Sequence, residues 1–185
     1  PHLGLLYGKK AILDKLPNQN HEFLEGDVPY TLNPGGPNHE ELSCLVGVYE
    51  YFNNLFQHHF PGEDGSVREK IEKVNELINK HEQEIANPLL EYIKSRDDIK
   101  LIGKDKIENK NRAPTIAFTM DNKSSRELSS DLVKHGIATR NDNFYAWRCL
   151  MALGIDVDDC VVRTSMVHYN THEDVNNLIE ALKKI

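Results

Sequence analysis

The chain has 185 residues, enough for one ordinary domain or for a small domain with part of another. Its 39% apolar and 28% charged residues are those of a soluble globular protein, and a net charge of −7 without any basic stripe argues against a nucleic-acid partner. No apolar run reaches the length of a membrane span and no signal-peptide pattern is present, so no membrane partner is expected.

In chain order, Leu3–Tyr7 is an apolar strand candidate closed by Gly8, and "KKAILDKLP" is a helical turn ending at Pro17. Residues 18–34 are polar and irregular. Asn38 with Glu41 fits a capping box, and Leu42, Leu45, Val46, Tyr49 and Phe52 recur at helical spacing, which predicts a helix over 38–56. Past "FPGEDGS", the series Val67, Ile71, Val74, Ile78, Ile85, Leu89 and Ile93 marks one face of a long helix that Pro88 should kink. Short elements follow. Strands are predicted at 100–102, 115–120, 137–140 and 161–167, and helices at 124–135, 144–153 and 171–184. Gly136 would end the first of these helices in a left-handed cap, and Thr171 with Asp174 would open the last with a capping box.

The residues after about 97 therefore read as a small α+β unit, with a largely antiparallel sheet and helices packed on one side. The stretch before it reads as the tail of something larger. With no initiator Met and an apolar strand candidate at its first residues, the chain is expected to continue upstream of Pro1.

Several groups carry chemistry. Arg163 lies in the middle of an otherwise apolar strand, and a guanidinium with five donors and no acceptor needs an anion there. Arg140 ends a neighbouring strand, and two convergent arginines would receive a carboxylate or a phosphate bidentately. Pairing with a local acid such as Asp142 or Asp156 is the other option, and from periodicity alone it is the commoner one. "NPGGPNHEE" sets free backbone N–H groups before a helix N-terminus, as phosphate sites do, although Gly-Gly before a helix is more often a simple turn. The nine histidines have no metal-ligand spacing; His39 and His168 read as surface residues. Cys44, Cys149 and Cys160 form neither a disulfide framework nor a metal knuckle and indicate a reducing, cytoplasmic compartment; Cys149 and Cys160 read as small buried hydrophobes.

Four stretches, "PHLGLLYG" (1–8), "NPGGPNHE" (33–40), "HGIATRNDNFYA" (135–146) and "VVRTSMVHYNTHEDVNNLIEAL" (161–182), together resemble the class V aminotransferase and cysteine desulfurase-like family of pyridoxal-phosphate enzymes. The resemblance spans nearly the whole chain in the right order. It implies an α/β protein with an α+β C-terminal domain, of the fold-type I PLP-transferase kind, and a homodimer. Residues 1–62 would end the large cofactor-binding domain, 63–96 would be a connecting helix, and 97–185 the small C-terminal domain. The Schiff-base lysine would lie upstream of Pro1, so no catalytic residue is expected within the chain, and the chain alone is expected to be inactive. Arg163 matches the arginine that holds a small amino-acid substrate by its carboxylate, and Arg140 a second active-site arginine. Gly35, Gly36, His2 and Asn38 fall in cofactor-binding motifs.

Two departures from the family pattern stand out. Gly36 occupies the place where relatives have a threonine whose hydroxyl reaches the cofactor phosphate of the partner subunit, and Tyr145 stands near the place of the desulfurases' sulfur-accepting cysteine, with Cys149 a helical turn further on. The second argues against desulfuration in the strict sense, and the choice among desulfuration, elimination, transamination and racemisation stays open. Both leave room for an alternative, a non-catalytic ligand-binding or interaction module derived from the same fold.

Overall fold

A computed structural model describes residues 2–27, 30–33, 35–108 and 112–185. The chain divides into two compact units, Pro1–Val74 and Asn75–Ile185.

The first unit carries α1 (Lys10–Leu13), a 3-10 turn at Glu22–Leu24, α2 (His39–His59) and the opening turns of α3 (Val67–Lys94). Asn38 caps α2 by accepting from the Glu41 N–H at 3.0 Å, as expected. The reciprocal half of that capping box is not formed, and Glu41 Oε2 is buried without a hydrogen-bond partner among the described residues. Ser66 and Glu69 open α3, where the Glu69 carboxylate accepts from the Ser66 N–H at 2.7 Å. Phe56 packs on Phe60 with ring centroids 5.2 Å apart, and Lys70 lies 5.5 Å over the Phe56 ring.

The strand expected at Leu3–Tyr7 is absent. Those residues are irregular, with Leu5, Leu6 and Tyr7 75–87% exposed, and none of them joins a ladder among the described residues. A strand exists only through its partner, and apolar content supplies none.

The second unit is a four-stranded antiparallel sheet in the order β1 (Ile99–Ile102), β2 (Thr115–Met120), β4 (Val161–Ser165), β3 (Arg140–Asp142). One face is covered by the remainder of α3, by α4 (Ser125–Lys134) and by α6 (His172–Lys184). Their apolar stripes meet Ile116, Phe118 and Val162 in a core where Ile85, Leu89, Leu90, Ile93, Leu128, Leu132 and Leu182 are all fully buried. Burying such a side chain stabilises by roughly 1.5–3 kcal/mol, so this face holds the unit together.

The capping box expected at α6 forms, and α4 carries one as well. Ser124 and Glu127 close that of α4, and Thr171 and Asp174 that of α6. Gly136 ends α4 with φ +75°, the left-handed cap read from the sequence. Pro88 lies inside α3, which continues through it to Lys94.

The other sheet face is thinly covered. Leu150, from the short α5 (Trp147–Ala152), packs there on Cys160 and Val161 with Ala117, Phe144 and Val157 around them. Several boundaries differ from expectation, and α2 runs on to His59 in place of 56. β3 runs over Arg140–Asp142 in place of 137–140, β4 stops at Ser165, and α5 begins three residues later because a turn occupies 143–146. No helix among the described residues is long and apolar enough to cross a membrane.

Candidate carboxylate site on the open sheet face

Side chains alternate along β4. Val162 joins the large core, whereas Val161 belongs to the opposite, thinly covered face, and Arg163 shares that face by parity. Register then brings the two predicted arginines together: Arg140 of β3 is the cross-strand partner of Arg163. On the other side Arg163 is opposite Ala117, which is itself opposite Ile102. The half-buried Arg163 thus has a small alanine on one flank and the exposed Arg140 on the other.

Two like charges directly opposite each other in a ladder are destabilising, and an anion between them reverses the sign. No ion pair reaches either arginine among the described residues. The two acids considered from the sequence are engaged elsewhere. Asp142 accepts from the Asn143 N–H at 2.7 Å, and Asp156 from the Asp158 N–H at 2.9 Å.

Arg96, in the same unit, shows the contrast. Its Nε and Nη2 donate to the two oxygens of Asp98 at 2.7 and 2.6 Å, and its Nη1 donates to the Tyr92 hydroxyl at 2.6 Å and the Leu182 carbonyl at 3.1 Å. Four of that guanidinium's five donors are committed to the fold. Those of Arg163 are not, among the described residues.

Arg163 has one contact of note, the Phe144 ring, whose centroid lies 3.8 Å from the guanidinium carbon. Phe144 sits in a turn in which the Asn143 carbonyl accepts from Ala146 N–H at 2.8 Å and the Asn143 side chain accepts from Tyr145 N–H at 2.9 Å. Its central residues, Phe144 and Tyr145, have φ +50° and +62°. Positive φ at both is the arrangement of a type I′ turn, which favours Asn and Gly. For other residues the left-handed region costs roughly 1–2 kcal/mol each. The Tyr145 side chain is wholly exposed and makes no contact that offsets this. The Phe144 ring does, against Arg163 and the small apolar cluster. Phe144 was read from the sequence only as a helix residue; the signal for the turn is the Asn-Asp-Asn run before it.

The remaining predicted site residues lie in the first unit. His2 is exposed in irregular chain, and Gly35 and Gly36 are exposed in the loop before α2. A Cβ added to either glycine would meet nothing within 4 Å, so the loop backbone has room for an anion. Asn38 commits Oδ1 to its cap. Glu40 and Glu41 in the first turn of α2 offset part of the positive end of that helix. Cys149 is exposed, contrary to the buried position read for it, because it falls on the outer side of a helix of only six residues; Cys160 is buried. Among the described residues no group of three or more His, Cys, Asp or Glu is placed to hold a metal ion.

The sequence profile of the family described as Aminotransferase class-V matches residues 69–178, a stretch that includes both arginines. The chain belongs to this family. Among class-V relatives, an aminotransferase-like protein (FGM3) of Gibberella zeae is 30% identical over 189 residues, covering 100% of this chain and 43% of that protein. A cysteine desulfurase of Serratia proteamaculans is 24% identical over 195 residues, covering 99% of this chain and 42% of the relative. The chain thus spans less than half the length of the curated relatives it matches. The crystal structure of the Escherichia coli cysteine desulfurase CsdA superposes with a TM-score of 0.60 at 19% identity, covering 84% of this chain and 32% of that one. The class-V chain shares with it the fold-type I architecture, of which it supplies a part.

Proposed function

We propose that this chain is the carboxy-terminal portion of a pyridoxal-phosphate enzyme acting on a small amino acid, with Arg163 as the grip on the substrate carboxylate. The observation that carries the reading is the pair of cross-strand arginines on the open sheet face, neither of them in an ion pair among the described residues. A carboxylate matches the planar fork of a guanidinium through two parallel hydrogen bonds, and Arg140 supplies a second positive charge beside it. Family membership supports the same assignment. Pyridoxal phosphate, when bound, supplies an electron sink for the bond broken at the substrate α-carbon.

Gly35 and Gly36 would hold the cofactor phosphate through their backbone N–H groups, in the space a side chain would otherwise fill. The Asn38 amide nitrogen and His2 lie in the same motifs and complete that set. Residues 1–62 are the end of the large domain, 63–96 the connecting helix and 97–185 the small domain, in a cytoplasmic homodimer. The cofactor lysine is upstream of Pro1.

The test uses the full-length protein. Its visible absorption should shift when a small L-amino acid is added. Arg163→Ala should raise KM by roughly 30-fold or more, the result of removing a charge partner worth about 2–5 kcal/mol. A colourless full-length protein that takes up no cofactor would replace this reading with the non-catalytic binding module. Unchanged kinetics in Arg163→Ala would remove the carboxylate grip.

A further inference from the structure

We infer that Phe144 is a positioning residue for Arg163, its ring holding the guanidinium so that the N–H edge faces a carboxylate arriving on the open sheet face. The inference rests on the carboxylate reading of Arg163 given above.

Three observations carry it. First, the ring centroid is 3.8 Å from the guanidinium carbon, the contact distance of a cation on an aromatic face. Secondly, Arg163 has no hydrogen bond to a side chain or to a turn among the described residues, whereas Arg96 is fixed by four. A long side chain without partners spreads over many rotamers, and ordering it at the moment of binding weakens the complex. The ring does that ordering beforehand. It also takes up the flat face of the guanidinium, and the edge that remains is the one that bonds a carboxylate in plane.

Thirdly, the ring is held from behind by unusual backbone. Phe144 has φ +50° in a turn closed by Asn143 and Ala146, two residues beyond the last residue of β3. That strand is in register with β4 at Arg140–Arg163, Asn141–Val162 and Asp142–Val161. The guanidinium is therefore carried by β4 and the ring by the turn that directly follows β3, its neighbour in the ladder. Left-handed backbone at a bulky residue persists only where its surroundings hold it, and here the ring contact is what it delivers.

The experiment compares two probes, L-alanine and L-alaninamide, which differ in the carboxylate, on full-length protein carrying isotope-labelled arginine. In the wild type one arginine side-chain resonance should be displaced by the ring current of Phe144, and it should move again as L-alanine is titrated. Phe144→Leu keeps apolar bulk and the same backbone; it should abolish the displacement and weaken L-alanine about three- to tenfold while leaving L-alaninamide unchanged. Phe144→Tyr should restore wild-type behaviour. Equal weakening of both probes in Phe144→Leu, or undiminished affinity for L-alanine, overturns the inference. Arg163→Lys separates the two levels. If it loses the preference for L-alanine while Phe144→Leu retains it, only the positioning role falls; if it keeps the preference, the carboxylate reading falls as well.

Discussion

Replacing Tyr145 with glycine should make the protein more stable. Tyr145 has φ +62° and a wholly exposed side chain, so its Cβ strains the backbone and its ring returns nothing. Relief of a left-handed non-glycine residue is worth roughly 1–2 kcal/mol. Glycine gives back about 0.5–1 kcal/mol through the greater freedom of its unfolded chain. The net gain spans about 0–1.5 kcal/mol with a centre of about 0.75 kcal/mol, and for a unit of this size that centre raises the melting temperature by about 3–6 °C. Far-UV circular dichroism on heating is the assay. Phe144→Gly relieves the same kind of strain at φ +50° but deletes the ring beside Arg163 and Leu150, so it should lower the melting temperature. A fall for Tyr145→Gly, or a rise for Phe144→Gly, would refute the account of strain held for the sake of one ring.

Two further outcomes follow from the helix ends and the surface charges. Thr171→Ala removes the acceptor of the Asp174 N–H at the start of α6 and should cost about 1 kcal/mol in urea unfolding, with Thr171→Ser close to wild type. Asp131, between Lys123 and Lys134, has a carboxyl lowered to about 2, first by the hydrogen bond from Lys123. Its unfolded value is about 4. The folded state thus gains from the ionised group above about pH 4 and loses that gain as pH falls toward about 2. The difference in melting temperature between wild type and Asp131→Asn should therefore shrink over that window, and a constant difference would speak against the lysine contacts.

The helices were legible because their signals are local. The capping box at Thr171, the Gly136 cap and the 3.6-residue stripes of α3 and α6 all lie within a few turns of sequence, and each is present in the fold. Strands were legible only where a partner happened to exist. Leu3–Tyr7 has strand composition and no ladder among the described residues, and the third strand lies at 140–142 in place of 137–140 because its pairing is set by β4, a distant stretch of chain that "GIATRND" does not record locally. Arg163 was legible as a charge in an apolar strand. Its placement opposite Arg140 needed the register, and the Phe144 contact needed a turn whose central residues break the usual preference for Asn and Gly.

Cys160 immediately precedes the strand that carries Arg163, and its surroundings decide what sulfur chemistry this chain supports. The thiol is buried, donates to the Val157 carbonyl at 3.0 Å, and is pushed upward first by burial and then by the charges of Asp142, Asp159, Asp156 and Asp158. A thiol kept protonated is a poor nucleophile. Alkylating reagents and peroxide will therefore find Cys44 and Cys149 first, and Cys160 will react only when β4 peels away from its neighbours, which makes its modification rate a clock for the opening of this sheet.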